Sequence, residues 1–423
     1  MLIVAISMVR GERLPVKIYT TADGLAHNNV QRIVRDSRGF LWFCTFEGLS
    51  RFDGYGFTTY GIEQGLPSQV INDLLETREG DYWVATGAGL CRFNPKGMAE
   101  QRTTDAPQTA TKGAMFAVYS PGDDAKSKEV TALLEDRPGR IWCGTAQGLY
   151  RLEPQEGGHV ALRFVDLGMP AAYGESRNVT CLLEDQRGAL WIGSINGLYR
   201  LLPDGRVEHY AKPHGLPDLS VQSLLEDRQG RVWIAMRNGG LCRLVADAKT
   251  TRPVVARAYS LKDELPTAWI NQLFESSDSR LWAASPLGLI QFIPTADGGD
   301  FHFRLYAQAH GLTYKQVQAL AEDRNGNLWL GLANGGAVKV ARSGITAFSE
   351  ADGFKTASAI FKDNAGDLYV LSGPDETNKK YLINRFESER FTAIQPRLPR
   401  DTYYGWGWNQ LVLEDHVGEW WVA

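Results

Sequence analysis

The sequence predicts an all-β protein: a β-propeller of four-stranded antiparallel blades, with a seven-bladed first ring and the start of a second propeller. Three observations carry this reading. Tryptophans recur at Trp42, Trp83, Trp142, Trp191, Trp233, Trp282, Trp329 and Trp420, with Tyr369 in the one long gap, at steps of 41, 59, 49, 42, 49, 47, 40 and 51 residues. A period of roughly 40–50 residues marks a solenoid, a propeller or an array. Around each tryptophan the chain reads as short strands between tight turns, and its 44 glycines suit that many turns. Apolar spacing of three and four with few glycines, which a helical repeat would need, is missing from the unit.

Residues 184–202, EDQRGALWIGSINGLYRLL, show the unit best. Residues 179–184 form an apolar run of strand length. Asp185-Gln186-Arg187-Gly188 has the Asp-first, Gly-fourth pattern of a type I turn. Leu190-Trp191-Ile192 is a second strand, rich in aromatic and β-branched residues. Asn196-Gly197 is a hairpin signal. Leu198-Tyr199-Arg200-Leu201 is the third strand, and Val207-Glu208-His209-Tyr210 alternates as an outer, half-exposed strand should. Four antiparallel strands per repeat make one propeller blade.

In chain order, the apolar start at residues 1–8 lacks a positive region before it and reads as a signal-peptide remnant or a disordered tail, over residues 1–15. Residues 16–20 are an outer-type strand with no blade before it. Such a strand closes a ring by completing the last blade, which removes exposed sheet edges. Seven repeats follow. Polar, Pro- and Gly-containing residues 100–128 read as a long blade loop. The boundary falls near Ser343-Gly344, so residues 16–344 form the first ring and 345–423 the start of a second. Rings of eight or nine blades remain open, because a sequence counts repeats better than rings. The chain stops at Ala423 within a repeat, which predicts a fragment with further domains beyond it.

Composition narrows function. The net charge of −4 gives no reason to expect nucleic acid, and no run of 18 apolar residues exists to span a membrane. Five cysteines at repeat positions read as free, buried core thiols rather than a disulfide framework. The pairs Glu135-Asp136, Glu184-Asp185, Glu226-Asp227, Glu322-Asp323 and Glu414-Asp415 recur once per repeat. A catalytic pair is needed once per site, so they read as turn formers. His214 and His310 are loop residues before Gly-Leu. No metal spacing, phosphate loop or nucleophile elbow appears, and no cofactor is expected.

The pattern Glu-Asp-x-x-Gly-x-Leu-Trp-x-Gly-Thr-x-x-Gly-Leu-x-Arg resembles the two-component regulator propeller repeat. Residues 23–30 with 36–42 resemble the usual start of such a region. The resemblance covers nearly the whole chain. It implies an extracytoplasmic, periplasmic sensor region of a receptor, followed by a β-sandwich, a transmembrane helix and a histidine kinase or other output, none of which lies in these residues. A homodimer is compatible with it. Departures fall at Ser279, which replaces the turn glycine, at Ala337, which replaces the leucine of Gly-Leu, and around residues 372–386.

Residues just before each inner strand should rim one mouth of the channel. They are His27, Asn28 and Asn29; Ser68 and Gln69; Lys128 and Glu129; Arg177 and Asn178; Asp218; Trp269; and Tyr314, Lys315 and Gln316. Polar groups around aromatic platforms suit a small polar ligand such as a carbohydrate, and Trp269 stands outside the repeat's tryptophan register. A solvated loop is the plain alternative. Tyr403, Tyr404, Trp406 and Trp408 form a second aromatic cluster. A glycan-cleaving propeller, with Asp218 and Glu129 as the carboxylates, and a passive protein scaffold are the competing functions.

Overall fold

The computed structural model describes residues 14–94, 115–155, 160–169, 177–246, 252–296, 298–312, 314–342, 359–363, 367–372, 382–387, 390–394, 412–414 and 419–422. Two compact units emerge: one spans Val16–Gln308 and Leu312–Ser343, and the other holds the described strands from Ala359 onward. The protein is a β-propeller of four-stranded antiparallel blades.

The first unit opens with β1 (Val16–Tyr19). The first full sheet follows, with β2 (Val30–Arg35), β3 (Leu41–Thr45), β4 (Gly48–Phe52) and β5 (Phe57–Tyr60). The second holds β6 (Ile71–Glu76), β7 (Tyr82–Thr86), β8 (Gly89–Phe93) and β9 (Phe116–Tyr119). The third has β10 (Val130–Glu135), β11 (Ile141–Thr145), β12 (Gly148–Pro154) and β13 (Val160–Val165). The fourth has β14 (Val179–Glu184), β15 (Leu190–Ser194), β16 (Gly197–Leu201) and β17 (Val207–Tyr210). The fifth has β18 (Val221–Glu226), β19 (Val232–Met236), β20 (Leu241–Ala246) and β21 (Pro253–Tyr259). The sixth has β22 (Gln272–Glu275), β23 (Leu281–Ser285), β24 (Gly288–Pro294) and β25 (Phe301–Tyr306). The last combines β26 (Val317–Glu322), β27 (Leu328–Leu332) and β28 (Ala337–Val340) with β1, which pairs Val16 with Val340 and Tyr19 with Ala337. Each inner strand packs beside the next, and β26 packs beside β2, so the circuit closes around a channel.

Part of the segment read as a loop is structured. Phe116–Tyr119 supplies the outer strand of the second sheet, and Ala125–Lys128 is one helical turn capped by the Asp124 side chain. The apolar alternation of Phe116 and Val118 marked that strand, but the long polar approach masked it.

The repeat motif resolves into defined bonds. Asp36, Asp136, Asp185, Asp227 and Asp323 each accept a hydrogen bond from the indole N–H of the tryptophan six residues on, at 2.7–3.0 Å. Ser276 does this for Trp282 at 3.1 Å. The same aspartates accept the backbone N–H that closes their turn, as Asp185 does from Ala189 at 2.9 Å. The residue before this aspartate, or before Ser276 in the sixth blade, is a glutamate in most blades and has a different task. Glu135, Glu184, Glu226 and Glu275 accept the backbone N–H of Arg78, Arg137, Gln186 and Arg228 in the preceding sheet at 2.8–3.0 Å. Thus the aspartate forms the turn and holds the indole, while the glutamate ties one blade to its neighbour.

The core lies between sheets. Trp42 packs against Tyr82 and Phe93 of the next sheet at ring separations of 5.5 and 5.7 Å. Trp233 meets Phe292 and Phe301 of the sixth sheet in the same way. At the closure Trp329 stacks on Tyr19 at 5.2 Å and meets Phe43 and Phe52 of the first sheet. Glycine is required in the hairpins: Gly197 has φ 113°, and a Cβ there would stand 2.6 Å from the Tyr210 carbonyl oxygen.

In the second unit β29 (Ala359–Lys362), β30 (Leu368–Ser372), β31 (Leu382–Glu387) and β32 (Arg390–Ile394) form one sheet, and β33 (Val412–Glu414) pairs with β34 (Trp420–Val422). Tyr369 takes the tryptophan's part by donating its hydroxyl to Asp363 at 3.0 Å. Among the described residues no helix is long and apolar enough to cross a membrane.

Candidate functional site

Antiparallel pairing places the connection before each inner strand at the same end of its sheet as the hairpin between the second and third strands. Backbone bonds join the two. Ile195 N–H donates to the Asn178 carbonyl at 3.2 Å, Arg237 N–H to Ser220 at 2.9 Å and Ala333 N–H to Gln316 at 3.1 Å. Hairpins also reach the next blade: Gly240 N–H donates to Ala268 at 2.9 Å and Gly336 N–H to Asn28 at 2.8 Å. A continuous collar of loops and hairpins therefore surrounds one mouth, and all ten candidate residues lie in its loops.

Several of the ten are engaged locally. His27 Nδ1 accepts the Asn29 N–H at 3.0 Å, and the Asn28 side-chain oxygen accepts the Thr21 N–H at 2.9 Å. Asp218 accepts the Asn238 N–H at 3.1 Å. The Arg177 guanidinium lies 5.9 Å from the Phe164 ring. These contacts hold loops in place. Gln69, Tyr314 and Lys315 are exposed, and the Tyr314 ring lies over the backbone of Gly335.

Three polar atoms differ. Asn29 Oδ1, Asn178 Oδ1 and Trp269 Nε1 are buried without a hydrogen-bond partner. Asn29 is only 8% exposed. A buried polar group without a partner costs about 1–3 kcal/mol, and such groups call for an explanation. All three residues occupy one position, immediately before a fully buried residue at or just ahead of the inner strand (Val30, Val179 and Ile270). Two acceptors and one donor thus stand buried and unpartnered in the collar loops of the first, fourth and sixth blades.

The hairpins add residues that sequence reasoning missed. Arg237 covers the Trp269 ring at 4.5 Å, so one face of that aromatic platform is already occupied. Phe46 lies beside His27 at 6.2 Å, and Phe46 and Leu287 are exposed at hairpin tips. The signal was available, because hairpin tips share an end with the loops in any antiparallel blade.

Between the inner strands of the first and second sheets, Arg32 Nε lies 3.4 Å from Asp73 Oδ1. Burial raises the Asp73 carboxyl above the ordinary range, opposed by Arg32 and by N–H donors from Leu133 and Leu74. The Cys181 thiol is pushed up to about 12 by burial, with Arg32 acting against it. Among the described residues no group of three or more His, Cys, Asp or Glu side chains could hold a metal ion. Asp218 and Glu129 belong to the fifth and third blades, and Asp218 is committed to the Asn238 backbone. His214 Nδ1 accepts the Ala211 N–H at 3.1 Å within its loop. The cluster at residues 403–408 lies outside the described residues.

A repeat that ties Glu to the previous blade and Asp to its own indole defines a class of propeller. Six segments, residues 24–47, 65–88, 125–147, 173–196, 215–238 and 311–334, match the family model described as two component regulator propeller. The chain belongs to this family. The sixth blade is not among the matched segments, and there Ser276 and Ser279 replace the turn aspartate and glycine. Among solved structures, the chain is similar to the extracellular domain of the hybrid two component system BT3049 from B. thetaiotaomicron, at 23% identity and a TM-score of 0.68, covering 97% of this chain and 52% of that one. The extracellular domain of BT4673 from the same organism follows at 19% identity and a TM-score of 0.55, with 97% and 51% covered. The chain therefore spans about half the length of these two domains. Virginiamycin B lyase from Staphylococcus aureus shares the fold at 13% identity and a TM-score of 0.55, with 77% and 98% covered. At such identities the likeness is one of fold. No curated protein matches the chain.

Proposed function

We propose that this chain is the extracytoplasmic ligand-sensing region of a two-component signalling receptor, and that it binds a small polar ligand, a carbohydrate foremost, at the mouth of its first ring. The carrying observation is the trio of unpartnered buried atoms, Asn29 Oδ1, Asn178 Oδ1 and Trp269 Nε1, at one position in three blades. Hydroxyl groups can both donate to the two amide oxygens and accept from the indole, which suits a sugar. The family repeat supports a sensory context, and so do the extracellular receptor domains with this fold. Binding rather than catalysis fits the carboxylates, since the repeated pairs are engaged in turns, indoles and interblade ties. Residues 16–344 would form the sensing ring, residues 345–423 would begin a second propeller, and a membrane anchor with a kinase output would follow. A periplasmic setting is compatible with the five cysteines, which are free and held above their ordinary pKa by burial, so that they stay protonated and unreactive.

Signalling would come from differential binding: the ligand shifts the receptor only by its preference for one arrangement of its domains or protomers. A thermal-shift screen of the chain against mono- and oligosaccharides, amino acids and organic acids tests the site. A ligand bound only by the folded state raises the Tm. The expected result is a stabilising ligand whose effect is lost in Trp269→Ala. A screen without any stabilising ligand, on a chain that folds, overturns the proposal.

A further inference from the structure

Phe46, Phe164, Trp269 and Tyr314 carry aromatic rings at the mouth end of the first unit, and their faces are not equally open. Arg237 covers Trp269 at 4.5 Å, and Arg177 lies 5.9 Å from Phe164. Tyr314 and Phe46 are 48% and 41% exposed, and among the described residues no cation lies over either ring. These two stand on the seventh and first blades, which are neighbours in the circuit.

The seating of Tyr314 follows from its hairpin. The hairpins of the fifth and seventh blades carry an extra glycine, in Asn238-Gly239-Gly240 and Asn334-Gly335-Gly336. In the fifth blade Asp218 closes over it, and a Cβ at Gly239 would stand 2.7 Å from the Asp218 Cβ. In the seventh blade Tyr314 takes that position, and a Cβ at Gly335 would stand 2.7 Å from its Cγ. Glycine thus lets the ring settle on the hairpin backbone and leaves its other side to solvent. Asn334, Lys315 and Gln316, its neighbours on the hairpin and the loop, are exposed as well.

Principles of pairing link this ring to the next blade. The Gly336 N–H donates to the Asn28 carbonyl at 2.8 Å. Asn28 follows His27, whose ring lies 6.2 Å from Phe46. An unbroken run of contacts therefore leads from Tyr314 to Phe46. It crosses the seam where β1 closes the circuit, because residues 20–29 join β1 to β2. The two rings flank one another only when the ring is closed.

We propose that this seam is a stacking subsite, in which Tyr314 binds the C–H face of a pyranoside and Phe46 with His27 forms a second wall. This rests on the reading of the mouth as the ligand site and names the aromatic platform within it. A pyranose chair presents axial C–H groups on a face and hydroxyl groups at its edge. It can meet an aromatic face and the polar groups of Asn334 and Lys315 together. An open-chain polyol has the hydroxyls without the face.

Thermal shift and calorimetric titration on the whole 423-residue chain test it, with the methyl pyranosides of glucose, galactose, mannose and xylose against sorbitol, galactitol, mannitol and xylitol. At least one pyranoside should bind about tenfold or more tighter than its alditol. Tyr314→Ala should remove that preference, and Tyr314→Trp should keep it, since a flat face is preserved. Phe46→Ala should weaken binding about threefold. Circular dichroism of each variant verifies the fold. Pyranosides that bind no better than their alditols, or that bind Tyr314→Ala as well as the parent, overturn the proposal. Sugar binding lost in Trp269→Ala but unchanged in Tyr314→Ala keeps the mouth as the ligand site and removes this platform. An amino acid or organic acid that stabilises the parent but not Trp269→Ala, with no pyranoside bound, does the same. Pyranoside binding that needs Tyr314 and Phe46 yet survives Trp269→Ala supports the seam and removes the reading centred on Trp269.

Discussion

At the scale of the residue, the repeated aspartate has the largest structural consequence. Asp185 accepts both the Ala189 N–H and the Trp191 indole N–H, and Trp191 is fully buried. Asp185→Ala leaves a buried indole donor without a partner, and a loss of about 1–3 kcal/mol is expected, read as a lower midpoint in urea. Asp185→Ser should recover part of it, because Ser276 holds Trp282 in the sixth blade. Asp323 gives a pH prediction. Burial acts to raise its pKa, but hydrogen bonds from Trp329 and Asn327 and the Lys339 charge outweigh it, and the net value falls below the ordinary range. A carboxyl depressed in the folded state contributes stability above its unfolded value of about 3.9 and loses that contribution as the pH falls through the folded value. Stability should therefore decline below about pH 4, and Asp323→Asn should show a shallower decline in acid denaturation.

The elements show how local conformation and repeat pattern interact. In the loops before the inner strands a short 3-10 turn ends in a left-handed residue: Gly24, Gly65 and Gly215 have φ 95°, 102° and 91°. In the sixth blade that place is taken by Glu264 at φ 62°. The left-handed conformation costs a non-glycine residue roughly 1–2 kcal/mol. Part of that gain is offset by the greater freedom of glycine in the unfolded chain, so Glu264→Gly should stabilise by about 0.5–1 kcal/mol, seen as a raised Tm. Ser279, at φ 63°, occupies a turn glycine's place, but its hydroxyl oxygen accepts a hydrogen bond from Arg228 Nη1 at 2.7 Å, so replacing it would remove a tie to the fifth blade. The strands and turns of each blade were legible in the sequence, because their alternation and glycines are local signals. Phe116–Tyr119 was not, since its pairing with β8 is a long-range contact.

For the whole molecule, the decisive contact is the one between chain ends of the first unit. β1 contributes Tyr19, buried against Trp329 and the first blade's Phe52 and Phe57. Tyr19→Ala should cost about 3–5 kcal/mol, in the range of large aromatic truncations. Removing β1 altogether would bare the edge of β28, and the variant should self-associate in size-exclusion chromatography, because an unpaired strand edge recruits other chains. Equal stability and a monomeric profile in both variants would mean that the circuit does not depend on this strand. The tie at the same seam is also distinctive: Arg35 stands where other blades have glutamate and donates to the Asp323 carbonyl at 3.0 Å, while Arg324 donates to the Ser37 carbonyl at 2.6 Å. The seam thus replaces the carboxylate latch by the Arg35 guanidinium, while Arg324 repeats the tie that Arg78, Arg137 and Arg228 make at other seams.

By itself the sequence determined the fold class, the blade as its unit and the family, because each rests on a pattern repeated along the chain: tryptophan spacing, turn chemistry and strand alternation. It also pointed to the loops of one mouth. Only the tertiary structure decided which of those side chains keep a buried atom without a partner. His27, Asn28 and Asp218 look as polar as Asn29 and Asn178 in the sequence, yet the side chains of the former accept hydrogen bonds within the collar while Oδ1 of each of the latter has no partner. It alone brought Arg237 onto Trp269 and set Arg32 against Asp73 of the next blade. The physical reason is that a repeat specifies its own hydrogen bonds locally, whereas the state of a mouth or channel residue depends on neighbouring blades some forty residues or more away in the chain.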